Sequence, residues 1–162
     1  MNVVSDIDDI DIKLLEVLQD NASLSNQALA ACAHISPPTC LRRVKRLRDA
    51  GLIEREIAIL NPDKLASALG HGLTALVEIT LDQQGTERQE AFEARVAQDS
   101  AVQQCYRVSP GPDFVLVVHV SDMPAYLALA QRLFTSDANV RNVKAFFSIK
   151  RAKFEPKLPL AL

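Results

Sequence analysis

The stretch from Ser25 to Gly51 constrains the fold of this 162-residue chain more than any other part. Small and apolar residues recur with helical spacing after Ser25, a favourable N-cap, and predict a short helix that ends near His34. Ser36 offers a second N-cap, and Pro37 suits the first helical position because that position needs no N–H donor. The second helix is predicted to end at Gly51, since glycine is favoured just past a helix end.

The second predicted helix has an apolar face and a basic face. Its predicted buried face consists of Leu41, Val44 and Leu47, whereas five of the seven residues from Arg42 to Arg48 are basic. At 100° per residue, the positions opposite the apolar face are Thr39, Arg42, Lys45 and Arg46. Arginine pairs with guanine edges in the major groove and any cation neutralises phosphates, so a helix-turn-helix of this kind is expected to bind duplex DNA.

The predicted DNA contacts lie at the start of this helix and along its basic face. They are Ser36, Pro38, Thr39, Arg42, Arg43, Lys45 and Arg46. Arg42 and Arg46 in particular are expected to contact DNA, because they lie opposite the predicted buried face. A solvated basic face is the alternative interpretation of such a run, but the short helix, the tight connection and the basic helix together favour DNA binding.

The net charge of −2 conceals a strong local separation of charge. Residues 1 to 20 contain six carboxylates and one lysine, whereas residues 36 to 48 contain five cations and no anion. The acidic start is interpreted as favouring the N-terminus of a first helix through the helix dipole. Because the chain as a whole is not basic, nucleic-acid binding has to act through one local face.

The cysteines and histidines predict neither a metal site nor a disulfide framework. The cysteines are odd in number without CxxC spacing, and the histidines are scattered and interpreted as structural: Cys32, Cys40, Cys105, His34, His71 and His119. No signal peptide is recognised, and no run of about 18 apolar residues is present to span a bilayer. We therefore expect a cytoplasmic protein without membrane partner, metal, cofactor or catalytic residues.

The first predicted domain occupies residues 1–60 and contains the helix-turn-helix. A helix from Asp8 to Leu18 is expected to pack beneath the two helices already described. Residues 52–60 alternate between two faces of an extended chain, which predicts the strand pair of a wing. The first domain is therefore expected to be a winged helix-turn-helix.

The second predicted domain occupies residues 73–162, after a linker with a short helical turn at residues 61–72. Alternating apolar residues predict four strands, and two further segments predict helices between them. The predicted elements are strand 73–81, helix 86–98, strands 102–108 and 114–120, helix 123–135 and strand 140–150. The order βαββαβ is that of a ferredoxin-like domain, so the predicted fold class is α+β.

The third predicted strand is apolar on both of its faces. One face carries Phe114, Leu116, Val118 and Val120, and the other carries Val115 and Val117. Two helices cover only one side of an antiparallel sheet, so the other side needs a cover. Self-association through this side is the simplest cover, and a homodimer also suits a helix-turn-helix that meets two half-sites.

Three segments carry a resemblance to the Lrp/AsnC family, the leucine-responsive or feast/famine regulators of bacteria and archaea. ISPPTCLRRVKRLRDAGLI resembles the family's recognition helix, LVEITL its first sheet strand, and VSPGPDFVLVVHVSDMPAY its ligand-loop region. The resemblance runs from Ile7 to Lys153 with matching order and spacing. It implies a winged helix-turn-helix, an effector-sensing second domain, dimers that often assemble into octamers, and transcription control modulated by amino acids.

The resemblance also implies a small-molecule site between dimers. By similarity, its residues here are Arg107, Ser109, Gly111, Asp113, Met123 and Phe146. An amino acid is a zwitterion, so Asp113 would take its ammonium group, and Arg107 or backbone N–H groups would take its carboxylate. The alternative is structural, with Asp113 capping a turn and Met123 and Phe146 in the core. Pro110 stands where the family usually has glycine, which changes the loop path.

A second function is left open by the same resemblance. The sirohaem decarboxylases resemble this family in both domains and use the sensing domain as an active site. They need histidine or arginine groups placed for a tetrapyrrole, for which Arg107 and His119 are the candidates. The basic helix favours a DNA-binding regulator over this enzyme, and also over a sensing module that does not contact DNA.

Overall fold

The computed structural model describes residues 7–160 and divides into two compact units. Among these residues, the first unit contains the chain up to Ile59 together with the segment from Lys153 onward, and the second contains Leu60–Ala152. These bounds differ from the predicted domains in two places. The segment interpreted as a linker, residues 61–72, belongs to the second unit, and the end of the chain belongs to the first.

Three helices form most of the first unit: α1 (Asp9–Asp20), α2 (Asn26–Cys32) and α3 (Pro37–Asp49). The predicted trio is therefore confirmed, with α1 ending at Asp20 instead of Leu18. The side chain of Asp8 accepts the N–H of Asp11, whose own side chain accepts the N–H of Asp8, so α1 starts with a capping box. The predicted N-cap Ser25 accepts the N–H of Ala28 at 3.2 Å.

The connection between α2 and α3 is closed by a residue with left-handed backbone. His34 has φ of 56°, and it lets the N–H of Ile35 reach the carbonyl of Ala30 at 3.0 Å. This is the hydrogen-bond pattern of a Schellman motif, in which glycine is the usual residue at the left-handed position. Gly51 occupies the equivalent position after α3 with φ of 72°. The same turn chemistry therefore ends both helices, once with glycine and once with histidine.

The buried face of α3 is not the one that the sequence predicted. Cys40, Val44 and Leu47 are buried, whereas Leu41 is 60% exposed. The expectation that Leu41 packs in the core is therefore wrong. At 100° per residue, the stripe that starts at Cys40 spans about 60° and the stripe that starts at Leu41 spans about 120°. The narrower stripe fits more completely against α1 and α2, and the small thiol occupies the position closest to them.

The strand pair expected for a wing at residues 52–60 does not form in this chain. The segment has no regular secondary structure and is exposed from Glu54 onward, and Ile57 and Ile59 lie in solvent. A strand is stable only when its N–H and C=O groups pair with a neighbouring strand, and within residues 7–160 no neighbour pairs with this segment. An ion pair between Glu56 and Arg48 of α3 connects this segment to the helix.

The C-terminal segment belongs to the first unit because it is bonded to the end of α1. The side-chain amide of Gln19 donates to the carbonyl of Leu158 at 3.1 Å and accepts the N–H of Leu158 at 2.7 Å. Lys157 forms an ion pair with Asp20 beside these bonds. This position could not be predicted from the sequence, because a stretch without regular structure carries no periodicity.

The second unit has the predicted α+β architecture. Its elements are α4 (Pro62–Leu69), β1 (Leu73–Leu81), α5 (Thr86–Val96), β2 (Val102–Arg107), β3 (Phe114–Val120), α6 (Met123–Ala130), a π-helical turn (Gln131–Thr135) and β4 (Val140–Phe147). The strands form one antiparallel sheet in the order β2-β3-β1-β4. This order places the two central strands, β1 and β3, between the two outer ones, which confirms the ferredoxin-like βαββαβ prediction.

One face of this sheet carries the core of the second unit. Alternate residues of the central strands pack against the helices and are buried: Ala75, Val77, Ile79, Leu81, Phe114, Leu116, Val118 and Val120. Phe92 and Val96 of α5 and Tyr126 and Leu129 of α6 complete the cluster. The rings of Phe92 and Phe114 stack with centroids 4.8 Å apart.

The opposite face of the sheet, called here the open face, is partly apolar. Strand register places these residues on it: Thr74, Leu76, Glu78, Thr80, Gln104, Tyr106, Val115, Val117, His119, Asn142, Lys144 and Phe146. Leu76, Tyr106 and Phe146 are exposed. The sequence prediction of a sheet with an apolar second face is confirmed within the second unit.

The two left-handed positions of the first unit make a matched pair of substitutions. Gly51→Ala should lower the free energy of unfolding by about 1 kcal/mol, because the new Cβ has space but disfavours positive φ. His34→Gly should raise it by about 0.5 to 1 kcal/mol, because strain at φ of 56° is relieved at some cost in chain entropy. Urea denaturation followed by the helical circular-dichroism signal measures both, and equal signs for the two variants would contradict this account.

Candidate functional site

The cations of α3 divide into three groups according to where their side chains go. Arg42 and Lys45 are exposed on the face opposite the buried stripe. Arg43 and Arg46 turn towards α1 and form ion pairs there. Arg48 pairs with Glu56 in the segment after the helix. A basic helix that looks uniform in the sequence therefore presents an outward face and an inward face with different contacts.

The inward face is organised around Asp11, whose side chain is fully buried in α1. Nη1 of Arg43 lies 3.0 Å from Oδ1 of Asp11 and 2.8 Å from Oδ2 of Asp8, and Arg46 pairs with the other oxygen of Asp11. An isolated buried carboxylate is strongly unfavourable, and two guanidinium groups compensate it here. The backbone N–H of Asp11 and the guanidinium of Arg43 hold the pKa of the Asp8 carboxyl below its usual value.

The acidic start of the chain is predicted to act on the helix dipole of α1. The structure adds a second role, because Asp8 and Asp11 bind the cations of α3 directly. The capping-box spacing of these two aspartates was a signal for the helix start. Arg43 lies 35 residues after Asp8 and 32 residues after Asp11 in the chain. Nothing local in the sequence indicated that residues so far apart are partners.

The outward face also includes the first turn of α3. The hydroxyl oxygens of Ser36 and Thr39 lie 2.8 Å apart, and Ser36 makes no side-chain cap bond to the helix backbone. Pro38 is exposed beside them. The structure thus gathers Ser36, Pro38, Arg42 and Lys45 on or near one outward surface, whereas Arg43 and Arg46 are engaged with α1.

The loop between β2 and β3 contains three of the residues predicted to bind an effector. Asp113 is 7% exposed, and its carboxylate accepts the N–H of Leu81 at 2.6 Å. The backbone N–H of Asp113 donates to the carbonyl of Ile79 at 2.8 Å. These bonds fasten the loop to the end of β1. Ser109 and Gly111 lie in the exposed part of the loop, where Gly111 has φ of 126°.

The remaining predicted effector residues lie elsewhere. Strand register pairs Arg107 with Phe114 on the helix-covered side of the sheet. Nε of Arg107 donates to Oε1 of Glu93 in α5 at 2.8 Å. Met123 is exposed and begins α6, after the end of β3 that is far from the loop. Phe146 lies on the open face, with Nζ of Lys144 4.8 Å from its ring centroid.

Within one chain, the six predicted effector residues do not converge on one site. The length of β3, about 20 Å at 3.3 Å per residue, separates the loop from Met123. Arg107 and Phe146 lie on opposite sides of the sheet. A small molecule that contacted both ends of this set would need residues from more than one chain.

His119 lies on the open face, where its ring contacts Thr74 and Gly72. Its Nδ1 lies 2.9 Å from Oγ1 of Thr74, and a Cβ added at Gly72 would meet its ring at 2.3 Å.

Within residues 7–160, no group of three or more histidine, cysteine or acidic side chains is arranged to hold a metal ion. Over the same residues, no helix has both the length and the hydropathy needed to cross a bilayer.

Two protein-family models match the chain. Residues 7–54 match a model described as winged helix-turn-helix DNA-binding, and residues 74–158 match a model described as the Lrp/AsnC ligand binding domain. Over 94% of its length, the chain is 35% identical to the leucine-responsive regulatory protein of Rhizobium meliloti, 96% of which is covered. It is 33% identical to the DNA-binding transcriptional activator DecR of Escherichia coli, with 95% of this chain and 99% of that protein covered.

Solved structures are similar throughout both units. A transcriptional regulator of Neisseria meningitidis, solved as a complex with L-Met, has a TM-score of 0.81 at 32% identity, covering 96% of this chain and 97% of that one. An AsnC family transcriptional regulator from Agrobacterium tumefaciens has a TM-score of 0.82 at 30% identity, covering 95% and 97%.

Proposed function

The chain belongs to the Lrp/AsnC family of DNA-binding transcriptional regulators, and from this membership we propose that the outward face of α3 is its DNA contact surface. The observation that carries the proposal is the division of the cations of α3. Arg42 and Lys45 are exposed opposite the buried stripe and free to approach phosphates or base edges. Ser36, Pro38 and Thr39 lie at the helix start, the part of a recognition helix that meets the bases.

The same division changes the expected role of Arg43 and Arg46. Both side chains are bonded to carboxylates of α1, so we propose that they mainly hold α3 in position. Any contribution of Arg46 to DNA binding would come from the part of its side chain that remains exposed. Arg42 and Lys45 are the better candidates for direct contact.

Substitutions on the two faces of α3 should separate these roles. Arg42→Ala and Lys45→Ala should weaken binding to promoter DNA, and each should lower the slope of log affinity against log salt by about one. Neither should change thermal stability, because both side chains are exposed. Arg43→Ala, by contrast, should lower thermal stability, because it leaves the buried carboxylate of Asp11 with one fewer partner. Fluorescence anisotropy and thermal melts measure the two effects.

Arg88→Ala is the charge-matched control for these variants. Arg88 is an exposed cation of α5 in the second unit, so its loss changes the net charge equally. It should leave DNA affinity unchanged. If the Arg42→Ala and Lys45→Ala proteins bind DNA as tightly as the Arg88→Ala protein, the outward face of α3 is not the contact surface.

We propose that the open face of the sheet is covered by a second copy of the chain, and that such dimers assemble further into octamers. Exposed Leu76, Tyr106 and Phe146 surround the half-buried Val115 and Val117 of β3 on this face. Burial of such a surface is favourable at about 25 cal/mol per Å² of apolar area. A homodimer also presents two copies of α3 to two half-sites of DNA.

A lysine in the middle of the open face should prevent this association. Leu76→Lys places a charge on β1 between Phe146 and Val117, where a second sheet would have to desolvate it. Light scattering at micromolar concentration should give a mass below that of the wild-type assembly. Ala94→Lys on the exposed side of α5 is the matched control and should keep the wild-type mass. Equal masses for both variants would exclude the open face as the interface.

We propose that the effector is an amino acid bound where residues from different chains meet. The relative from Neisseria meningitidis that was solved with L-Met supports this ligand class. The separation of the loop from Met123 and Phe146 within one chain supports a site completed by another chain. Ser109 and Gly111 offer exposed polar groups, and Arg107 is already paired with Glu93, which reduces its availability for the ligand's carboxylate.

Asp113 is proposed to take the ammonium group of that amino acid. One of its oxygens accepts the N–H of Leu81, and an ionised carboxylate has about four acceptor sites in all. The carboxylate is nearly buried, so a cationic partner reaching it would form a strong charge-assisted bond. Its bond to Leu81 also means that the residue holds the loop in shape, and these two roles can be separated.

Asp113→Asn should weaken amino-acid binding while keeping the loop in place. The amide oxygen still accepts the N–H of Leu81, but the charge is lost, which costs about 1.5 to 3 kcal/mol or roughly ten- to a hundredfold in affinity. Calorimetry with L-methionine, followed by the other amino acids, measures the change, and Asp63→Asn in α4 is the exposed control. An unchanged affinity for an amino acid that binds the wild type would restrict Asp113 to holding the loop.

We propose a regulator without enzymatic activity. The decarboxylase alternative relied on Arg107 and His119 meeting at one tetrapyrrole, but register puts them on opposite sides of the sheet. Each also has a protein partner, Glu93 for Arg107 and Thr74 for His119. Its place of action is proposed to be the cytoplasm, where bacterial DNA is found.

A further inference from the structure

Leu41 is a large apolar side chain on the exposed surface of the basic helix. It is 60% exposed, whereas Cys40 beside it fills the core position of α3. The fold therefore gains little from the leucine at this position. Leu41 lies in the first half of α3, and at 100° per residue Lys45 falls about 40° away on the same surface. A leucine on the same exposed surface as Lys45, and next to Arg42 in the chain, suggests a partner that offers both negative charge and a small apolar group.

Duplex DNA is such a partner. Phosphates supply the negative charge, and the C5-methyl group of thymine is the apolar group that the major groove displays. Leucine has no hydrogen-bonding group, so it cannot bind a phosphate or the polar edges of guanine, cytosine or adenine. We propose that Leu41 contacts a thymine methyl group in the major groove and thereby contributes to the choice of DNA sequence.

This inference rests on the proposed contact surface of α3, and it adds a different kind of contact. Arg42 and Lys45 favour any DNA through its phosphates, whereas Leu41 distinguishes one base from the other three. Loss of the cations should weaken binding on all sequences. Loss of Leu41 should weaken it only where the thymine methyl is present.

Replacement of thymine by deoxyuridine tests the contact at the level of a single methyl group. The probe is a duplex that the full-length wild-type protein selects from a pool of random sequences, with each thymine replaced in turn by deoxyuridine. Base pairing and groove hydrogen bonds are kept, and only the methyl group is removed. The wild type should lose about three- to fivefold in affinity at one position of each half-site.

Leu41→Ala should abolish this discrimination at that position. The variant should bind the thymine and deoxyuridine duplexes equally, with roughly the wild-type affinity for the deoxyuridine duplex. Leu41→Met keeps an apolar side chain of similar reach and should keep the discrimination. Leu69→Ala removes a leucine of α4 that is more exposed than Leu41, 79% against 60%, and should behave as the wild type. Arg42→Ala should bind all the duplexes more weakly by one common factor.

Two results would overturn the inference, and a third would overturn its basis. If no deoxyuridine weakens the wild type, or if Leu41→Ala keeps the discrimination, Leu41 does not contact a thymine methyl. If Arg42→Ala binds every duplex as tightly as the wild type, the contact surface of α3 is wrong and the inference fails with it. Far-ultraviolet circular dichroism and melting temperatures equal to the wild type's establish that each variant is folded.

Discussion

The buried carboxylate of Asp11 holds the DNA-binding unit in its arrangement. It lies in α1, is closed off from solvent, and is compensated by guanidinium groups of Arg43 and Arg46 from α3. Removing one partner of a fully buried ion pair costs about 3 to 5 kcal/mol, and less where the partner is partly exposed, as Arg46 is. Directional bonds of this kind fix the rotation of α3 about its own axis together with the packing of its buried residues Cys40, Val44 and Leu47. The orientation of the outward face therefore depends on a contact on the inward one.

This arrangement gives two roles to one residue type. Consecutive residues lie 100° apart around a helix, so a short basic run can supply both a bond to a neighbouring helix and a surface for a polyanion. Arg43 and Arg46 are bonded to α1, and Arg42 and Lys45 face outward. A count of cations in such a helix therefore overstates the charge available to DNA. The lower effective charge makes affinity less dependent on phosphates alone and increases the share of binding that base contacts can supply.

Periodicity in the sequence was sufficient for the helices α1, α2 and α3 and for the strand order of the second unit. It was not sufficient for the position of Leu41, since leucine is the more apolar residue but Cys40 lies nearer the centre of the buried stripe. Ion pairs between α1 and α3 could not be predicted, because Asp8 and Arg43 are related only by the packing of the helices. The wing strands depend on a pairing partner, and residues 52–60 have none within residues 7–160. The predicted effector residues lie beyond opposite ends of β3 and on both sides of the sheet, which no pattern in one chain reveals.

The bonds between Gln19 and Leu158 join residues that are 139 positions apart in the sequence. A ribosome releases the N-terminal helices long before it reaches the segment that binds them, and domains generally begin to fold in the order of their synthesis. The first unit is therefore the first to start folding and the last to be completed. The segment around Leu158 adds amide and ion-pair contacts to the end of α1, although every residue of α1, α2 and α3 is synthesised well before it. Two parts of the chain that leave the ribosome at different times thus contribute to one DNA-binding unit.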